Sequence, residues 1–261
     1  MKPPVKTMIV TRGAGRPLRA GIGDDQGMSV SLEVCRERTD ADPAGHWEDE
    51  RTTAVVLARE DGAVIGSVVV LDLGADDPAL RFAAVPEGAF EALVPMLREA
   101  AALAGGAGGT ALRWVAESDE MPPSVPEELG AAEDGDVYRW WRLELSAART
   151  EPGPGGAGAV EERPAGEDAV FRLGLEDALF DVEIEDDTAV LVHDREEEHT
   201  PDELTALVAA VVRRVREAHP AVRAAEAYAA PDDDTLGAAL TAVGFVPTDR
   251  RAVEYLLPLG G

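Results

Sequence analysis

Apolar positions change period inside the stretch from Ala79 to Ala104. ALRFAAV is a short continuous apolar run, which predicts a buried strand at Leu80 to Val85. PEGAF carries Pro86 and Gly88 and predicts a tight turn. In EALVPMLREAAALA, the residues Leu93, Val94, Leu97, Ala101 and Ala104 recur at spacings of three or four, the pattern of an amphipathic helix. Pro95 interrupts it and is expected to kink the helix or to mark a later start, because it lacks an N–H and crowds the preceding turn. A weaker copy follows 114 residues on, where Glu91-Ala92-Leu93-Val94 lies opposite Thr205-Ala206-Leu207-Val208. The offset holds to the chain end, where Leu129 to Leu145 faces Val243 to Leu259. The chain therefore reads as two copies of one α/β unit, 1–147 and 167–261. Between them lies ARTEPGPGGAGAVEERPAG, a Pro/Gly linker over 148–166 without apolar period.

Before the first repeat, Met28 to Arg38 alternates, with Val30, Leu32 and Val34 set against Ser31, Glu33 and Cys35. Thr53 to Arg59 and Val64 to Leu73 predict a hairpin around Asp61-Gly62, a pair suited to positive φ. The second of these strands is apolar enough to be buried on both faces. Asp76-Asp77-Pro78 then turns the chain. Ala111 to Ala116 predicts a strand, SDEMPPSVPEE a loop that its prolines keep from helix, and Val137 to Leu145 a strong strand. In the second unit, strands are expected at Ala169 to Leu173, Leu179 to Glu185, Thr188 to His193 and Val222 to Ala229. Thr200-Pro201-Asp202-Glu203 predicts a helix start with Thr as N-cap, Pro at N1 and Glu closing a capping box. Leu204, Leu207, Val208, Val211, Val212 and Val215 form its apolar face. Thr235 to Val243 predicts a short helix ended by Gly244, with Phe245-Val246 and Val253 to Leu257 as a closing strand pair.

Charge narrows the choice of partners. The net charge is −27 over 261 residues, a field that repels phosphates. Nucleic acid and anionic membrane surfaces are thus not expected partners, while a small amine or another cationic ligand is favoured. Cys35 is the one cysteine, so no intrachain disulfide and no cysteine-based zinc site can form. The N-terminus has no apolar leader pattern and no long apolar run occurs, which together predict a soluble, cytoplasmic protein.

The element order in each half, the phrase Val243-Gly244-Phe245 running into a final strand, its counterpart Leu129-Gly130-Ala131, and the Asp61-Gly62 hairpin with Ile65-Gly66 resemble the GCN5-related N-acetyltransferase (GNAT) family. The resemblance covers about 51–145 and 167–259. It implies two tandem GNAT-like units, each a mixed, mostly antiparallel sheet flanked by helices. It also implies an acyl-CoA-dependent N-acyltransferase in which one unit alone can be active. Such families hold the coenzyme A pyrophosphate on a Gln/Arg-x-x-Gly-x-Gly/Ala turn at a helix N-terminus. The first unit offers Pro86-Glu87-Gly88-Ala89-Phe90 there, and the second Pro201-Asp202-Glu203-Leu204 without glycine and with two carboxylates. The resemblance thus places cofactor contacts in the first unit, at Phe82, Ala83, Val85, Gly88 and Ala89, with acetyl-CoA or another acyl-CoA as cofactor and no metal. The family's acid, a Tyr four residues before the late Gly, is replaced by Pro126 and Leu240.

The replacement chemistry has to come from the strand ends. Glu117 and Asp119 follow the Trp114 strand, where a carboxylate can accept a proton from an amine. Tyr138, at the start of the closing strand, can stand in for the missing acid. His193 and His199 flank an acidic loop but match no metal-ligand spacing. Trp140 and Trp141 are adjacent on a strand, so they point to opposite faces. Two further readings stay open: a GNAT-shaped module that binds a ligand or protein without catalysis, and an enzyme of a biosynthetic pathway whose chemistry needs no coenzyme A.

Overall fold

A computed structural model describes residues 31–36, 50–72, 80–84, 90–118, 121–146, 160–165, 169–175, 178–194 and 199–260. The strands β1 (Ser31–Cys35), β2 (Thr52–Glu60) and β3 (Ala63–Asp72) run antiparallel. The β2–β3 hairpin turns at Asp61 and Gly62, with φ of 50° and 81°, as expected of that pair. Along β3, Val68 and Val70 enter one core while Val69 and Leu71 enter another. The alternation in β1 names the wrong face. Leu32 is exposed, and Cys35, opposite Val55, is the residue buried with Leu57, Val69 and Leu71.

Next come β4 (Leu80–Ala84), α1 (Phe90–Gly106) and β5 (Ala111–Glu117), with β5 parallel to β4. Helix α1 does not wait for Pro95 but carries it inside the second turn. The missing N–H costs one hydrogen bond there, and burial of Leu93, Met96, Leu97, Ala100 and Ala104 outweighs it. Val94 and Ala101 sit only partly buried at the edge of that face. The predicted proline loop contains a short helix, α2 (Ser124–Leu129), with Pro123 at its N-cap and Val125 and Pro126 buried. First-turn N–H groups have no intrahelical partner, so prolines there remove nothing.

The chain continues through β6 (Ala132–Glu144), β7 (Glu161–Arg163), β8 (Phe171–Leu175), β9 (Ala178–Glu185) and β10 (Thr188–Asp194). Strand β7, a stretch read as linker, pairs antiparallel with β8. Helix α3 (Pro201–Ala218) has the predicted capping box, and Leu204, Leu207, Val208, Val211, Val212 and Val215 are all buried. Strand β11 (Ala224–Ala229) lies parallel to β10, and α4 (Asp234–Val243) ends at Gly244 in the left-handed region, φ 108°.

The largest departure from expectation is β12 (Val246–Pro258). It is one strand of 13 residues, not a pair. Pro247-Thr248-Asp249 reads as a turn in sequence, but in the fold these residues form an irregularity within a continuous strand. The register to β6 shifts between Pro247 and Arg251, which is how a bulge looks in a ladder. Because the strand does not fold back on itself, it reaches into the other unit. Among the described residues the sheet order is β1-β2-β3-β4-β5-β12-β6-β11-β10-β9-β8-β7. The last strand of the second unit thus pairs with β5 of the first, and β6 of the first pairs with β11 of the second. The closing strands are exchanged.

Each unit keeps its own core beneath its long helix. Under α1 lie Val56, Val68, Leu112 and Trp114, joined by Val253 and Tyr255 from β12. Under α3 and α4 lie Phe171, Phe180, Leu191 and Phe245, joined by Leu143 from β6 and by Leu145 just after it. Each such side chain is worth about 1.5–3 kcal/mol of burial, so each core depends on a strand supplied by the other half.

Candidate functional site

Parallel pairing between β4 and β5 lasts only from Leu80/Ala111 to Phe82/Arg113. Beyond it β5 runs on to Glu117 without β4 beside it, so the two strands splay at their C-terminal ends. Strands β10 and β11 behave alike, pairing from Thr188/Ala224 to Leu191/Ala227 only. Each unit therefore opens a wedge at the end of its central strand.

In the first unit that end is chemically furnished. On β5, Leu112 and Trp114 face the α1 core, so Glu117, at odd spacing from them, points away. On β6, Trp141 and Leu143 face the other core, and Tyr138, Trp140 and Arg142 point away. The Tyr138 hydroxyl donates to Glu117 Oε1 at 3.3 Å. Arg250 Nε donates to Glu117 Oε2 at 2.6 Å, and a terminal guanidinium nitrogen joins the same carboxylate. The Arg250 guanidinium lies 4.2 Å from the Trp140 ring centroid, a cation–π geometry. Tyr228 of β11 completes the patch, 5.0 Å from Tyr138 and 5.4 Å from Trp140 between ring centroids. Glu226, also on β11, accepts from Arg142 at 2.5 Å and stands 3.8 Å from Arg250. Glu117 and Arg250 keep only 16% and 19% side-chain exposure, enough burial to make their pairing costly to break from one side.

The bulge in β12 produces this arrangement. Thr248 Oγ1 donates to the Trp140 carbonyl at 3.2 Å and accepts from the Arg250 N–H at 3.2 Å. The hydroxyl thus ties the bulged segment to β6 and turns Arg250 over Trp140. Ser118 closes the end of β5: its N–H donates to the Arg251 carbonyl at 2.8 Å, and its Oγ accepts from the Arg251 N–H at 3.1 Å.

Tyr138 is held protonated well beyond the ordinary phenol value of 10.0. Burial is the main cause, followed by the charge of Glu117 and the hydrogen bond to it, while Arg250 pulls the other way.

Of the residues singled out in the sequence, the fold brings Glu117 and Tyr138 into contact. The backbone of Phe82 and Ala83 stands in β4 where pairing with β5 ends. Asp119, Val85, Gly88 and Ala89 lie outside the described residues. Trp114 is core, stacked on Tyr255 at 5.5 Å. His193 stacks on Phe180 at 4.7 Å. Among the described residues no cluster of metal-ligating side chains forms, and no helix is long and apolar enough to cross a membrane. Sequence reasoning missed Arg250, Glu226 and the Trp140–Tyr228 patch. The one available signal was Arg250-Arg251, adjacent arginines on a closing strand in a strongly acidic chain.

The second unit's equivalents are closed or bare. Its long helix caps itself: Glu203 N–H donates to Thr200 Oγ1 at 3.3 Å, and the Glu203 carboxylate accepts from Thr200 N–H at 2.9 Å and Oγ1 at 2.8 Å. Pro201 contributes no N–H. A carboxylate thus occupies the helix N-terminus that an anion would need. Strand β11 ends in Ala229, followed by Ala230-Pro231, with no titratable side chain. A cleft of about 360 Å³ lies nearby between β6 and α4, walled by Asp136, Arg139, Trp141, Asp233 and Gly237. Asp136 is already engaged by Arg251 at 2.6 Å and Arg139 at 3.3 Å.

No family model and no curated protein matches the chain. Solved structures do. A tandem GNAT protein from the clavulanic acid biosynthesis pathway, solved without AcCoA, superposes with a TM-score of 0.56 at 16% identity, covering 80% of this chain and 83% of that one. Eis1 from Mycobacterium abscessus gives 0.48 at 12% identity over 88% and 74%. A GCN5-related N-acetyltransferase from Sphaerobacter thermophilus gives 0.44 at 11% identity over 81% and 82%. At these identities the likeness speaks to fold, and the first of the three carries it: this chain has the tandem GNAT fold.

Proposed function

We propose that the protein is an acyl-CoA-dependent N-acyltransferase acting on a small amine, with the cofactor held by the first unit (1–147) and the second (167–261) completing the structure around it. The observation that supports this reading best is the Glu117–Tyr138 pair at the end of β5, beside the splay of β4 and β5. The splay suits the cofactor: backbone past Phe82 in β4, and past Trp114 in β5, has no partner strand across the wedge. The wedge of the second unit is a poor fit, because Glu203 fills its helix N-terminus. A bound acyl-CoA would supply an activated acyl carbonyl and a thiol leaving group. The chain itself handles protons. The Glu117 carboxylate takes one up from an approaching ammonium, Tyr138 Oη delivers one, and the hydrogen bond between them returns Tyr138 to its protonated form.

The test is acetyl transfer from acetyl-CoA to a panel of small amines, followed by thiol release. Glu117→Gln and Tyr138→Phe should each lower kcat about 100-fold or more while leaving the KM for acetyl-CoA nearly unchanged. Absence of transfer to every amine, with no binding of acetyl-CoA, would overturn the reading.

One observation favours the second reading, a GNAT-shaped module without acyl transfer. Arg250 already pairs with the Glu117 carboxylate, the group that would have to take up the proton. Under that reading the variants above would change stability and nothing else.

A further inference from the structure

We infer that Arg250 is a positioning residue for the Glu117–Tyr138 pair, so that the first unit's site is completed by a side chain that the second unit delivers on its exchanged strand. The inference rests on the function proposed above for that pair, and extends it to a residue outside the first unit.

Three geometric facts carry it. Arg250 grips one oxygen of Glu117 through Nε at 2.6 Å, which leaves Oε1 turned to the Tyr138 hydroxyl. The guanidinium is held, because its Cζ sits over the Trp140 ring at 4.2 Å from the centroid and a terminal nitrogen stands 3.8 Å from Glu226. Its backbone is fixed as well, by the Thr248 hydroxyl that bridges the Arg250 N–H and the Trp140 carbonyl. An irregularity that reads as a turn in sequence is thus the device that aims one arginine. Strand β12 carries further pairs to the first unit: Arg251 to Asp136 at 2.6 Å and to Glu133 at 3.2 Å, and Glu254 to Arg113 at 2.8 Å. Those pairs hold the strand in place and do not touch Glu117 or Tyr138. Arg250 is the one that does.

The experiment is an alkaline absorbance titration of tyrosinate in the full chain. It is legible because there are only three tyrosines, Tyr138, Tyr228 and Tyr255, and Tyr138→Phe assigns the Tyr138 step. Arg250→Gln separates two roles by sign. Loss of a nearby positive charge alone makes the phenol harder to ionise, since Arg250 favours the phenolate. Loss of positioning releases Glu117 from Tyr138, removing the charge and hydrogen bond that add to burial in holding the phenol protonated, and the step moves to lower pH. A downward shift in Arg250→Gln, absent in Arg251→Gln, is the expected result. A shift upward, no shift, or the same downward shift in Arg251→Gln would overturn the inference. Should Arg250→Gln fail to fold, Arg250→Lys is read the same way, as it keeps the charge but not the planar grip. Acetyl transfer is measured beside it, where Arg250→Gln should lower kcat about tenfold or more with the KM for acetyl-CoA unchanged. If wild-type chain transfers no acetyl group, the proposed function fails while the titration still decides whether Arg250 places Glu117.

Discussion

The two units share a plan and differ at two places that matter. Where the first ends its central strand in Glu117, the second ends it in Ala229-Ala230-Pro231. In sequence the first has Gly88 just ahead of its long helix, while the second has Pro201 and a carboxylate folded back onto the helix N-terminus. The second unit has spent its anion-binding end on its own cap, which stabilises α3 and disqualifies it as a phosphate site. What it gives in return is a strand. The difference teaches that repetition of a fold need not repeat its side chains, and that one unit can furnish part of the patch at the other's strand end.

The exchange of strands is the first thing to break. Removing β12 by truncation before Val246 takes from β5 and β6 the strand between them and from the α1 core Val253 and Tyr255. Hydrogen exchange should then find both units unprotected, not the second alone, because a sheet deprived of an interior strand exposes two unpaired edges. Protection surviving in β2, β3 and α1 would argue that the units fold separately.

The cores come next. Trp114→Ala in the first unit and Phe245→Ala in the second should each cost about 3–5 kcal/mol in denaturant unfolding. Both should shift one common transition. Two transitions, one for each variant, would restore the picture of independent units.

A pH scan sharpens the contrast between the two strand ends. The folded phenol of Tyr138 is raised above its ordinary value of 10.0. Below that value both folded and unfolded chains hold the proton and the contribution is fully present. As pH climbs above it, the unfolded chain releases the proton first, and stability falls at up to about 1.4 kcal/mol per pH unit. Tyr138→Phe should flatten that alkaline slope.

The smallest effect belongs to the cap. Thr200→Ala should lower stability by about 1 kcal/mol and leave acetyl-CoA binding untouched, because the proposed cofactor site lies in the first unit.

Periodicity made much of this legible. Leu204 to Val215 named a helix and its buried face, the capping box at Thr200 and Glu203 named where it starts, and Asp61-Gly62 named a hairpin. The repeat from Leu93 to Leu207 named the two-unit plan. Other features were not legible for identifiable reasons. A strand alternates in the same way whichever neighbour it pairs with, so nothing in VPTDRRAVEYLLP tells that β12 crosses into the first unit. A proline inside a helical pattern signals a break unless tertiary burial exceeds the loss of one hydrogen bond, as it does around Pro95. In the site, Glu117 and Tyr138 stood out singly because strand ends and titratable types are visible one at a time. Their contact joins residues 21 apart across the exchanged strand, and the arginine that grips the carboxylate stands 133 residues away from it on that strand.

Calorimetric titration with acetyl-CoA tests most directly the claim that one unit holds the cofactor while the other completes it. The account predicts saturation at one mole per mole of chain, abolished by Gly88→Glu and unaffected by Thr200→Ala. Saturation at two moles per mole, or binding that survives Gly88→Glu and disappears in Thr200→Ala, would contradict it.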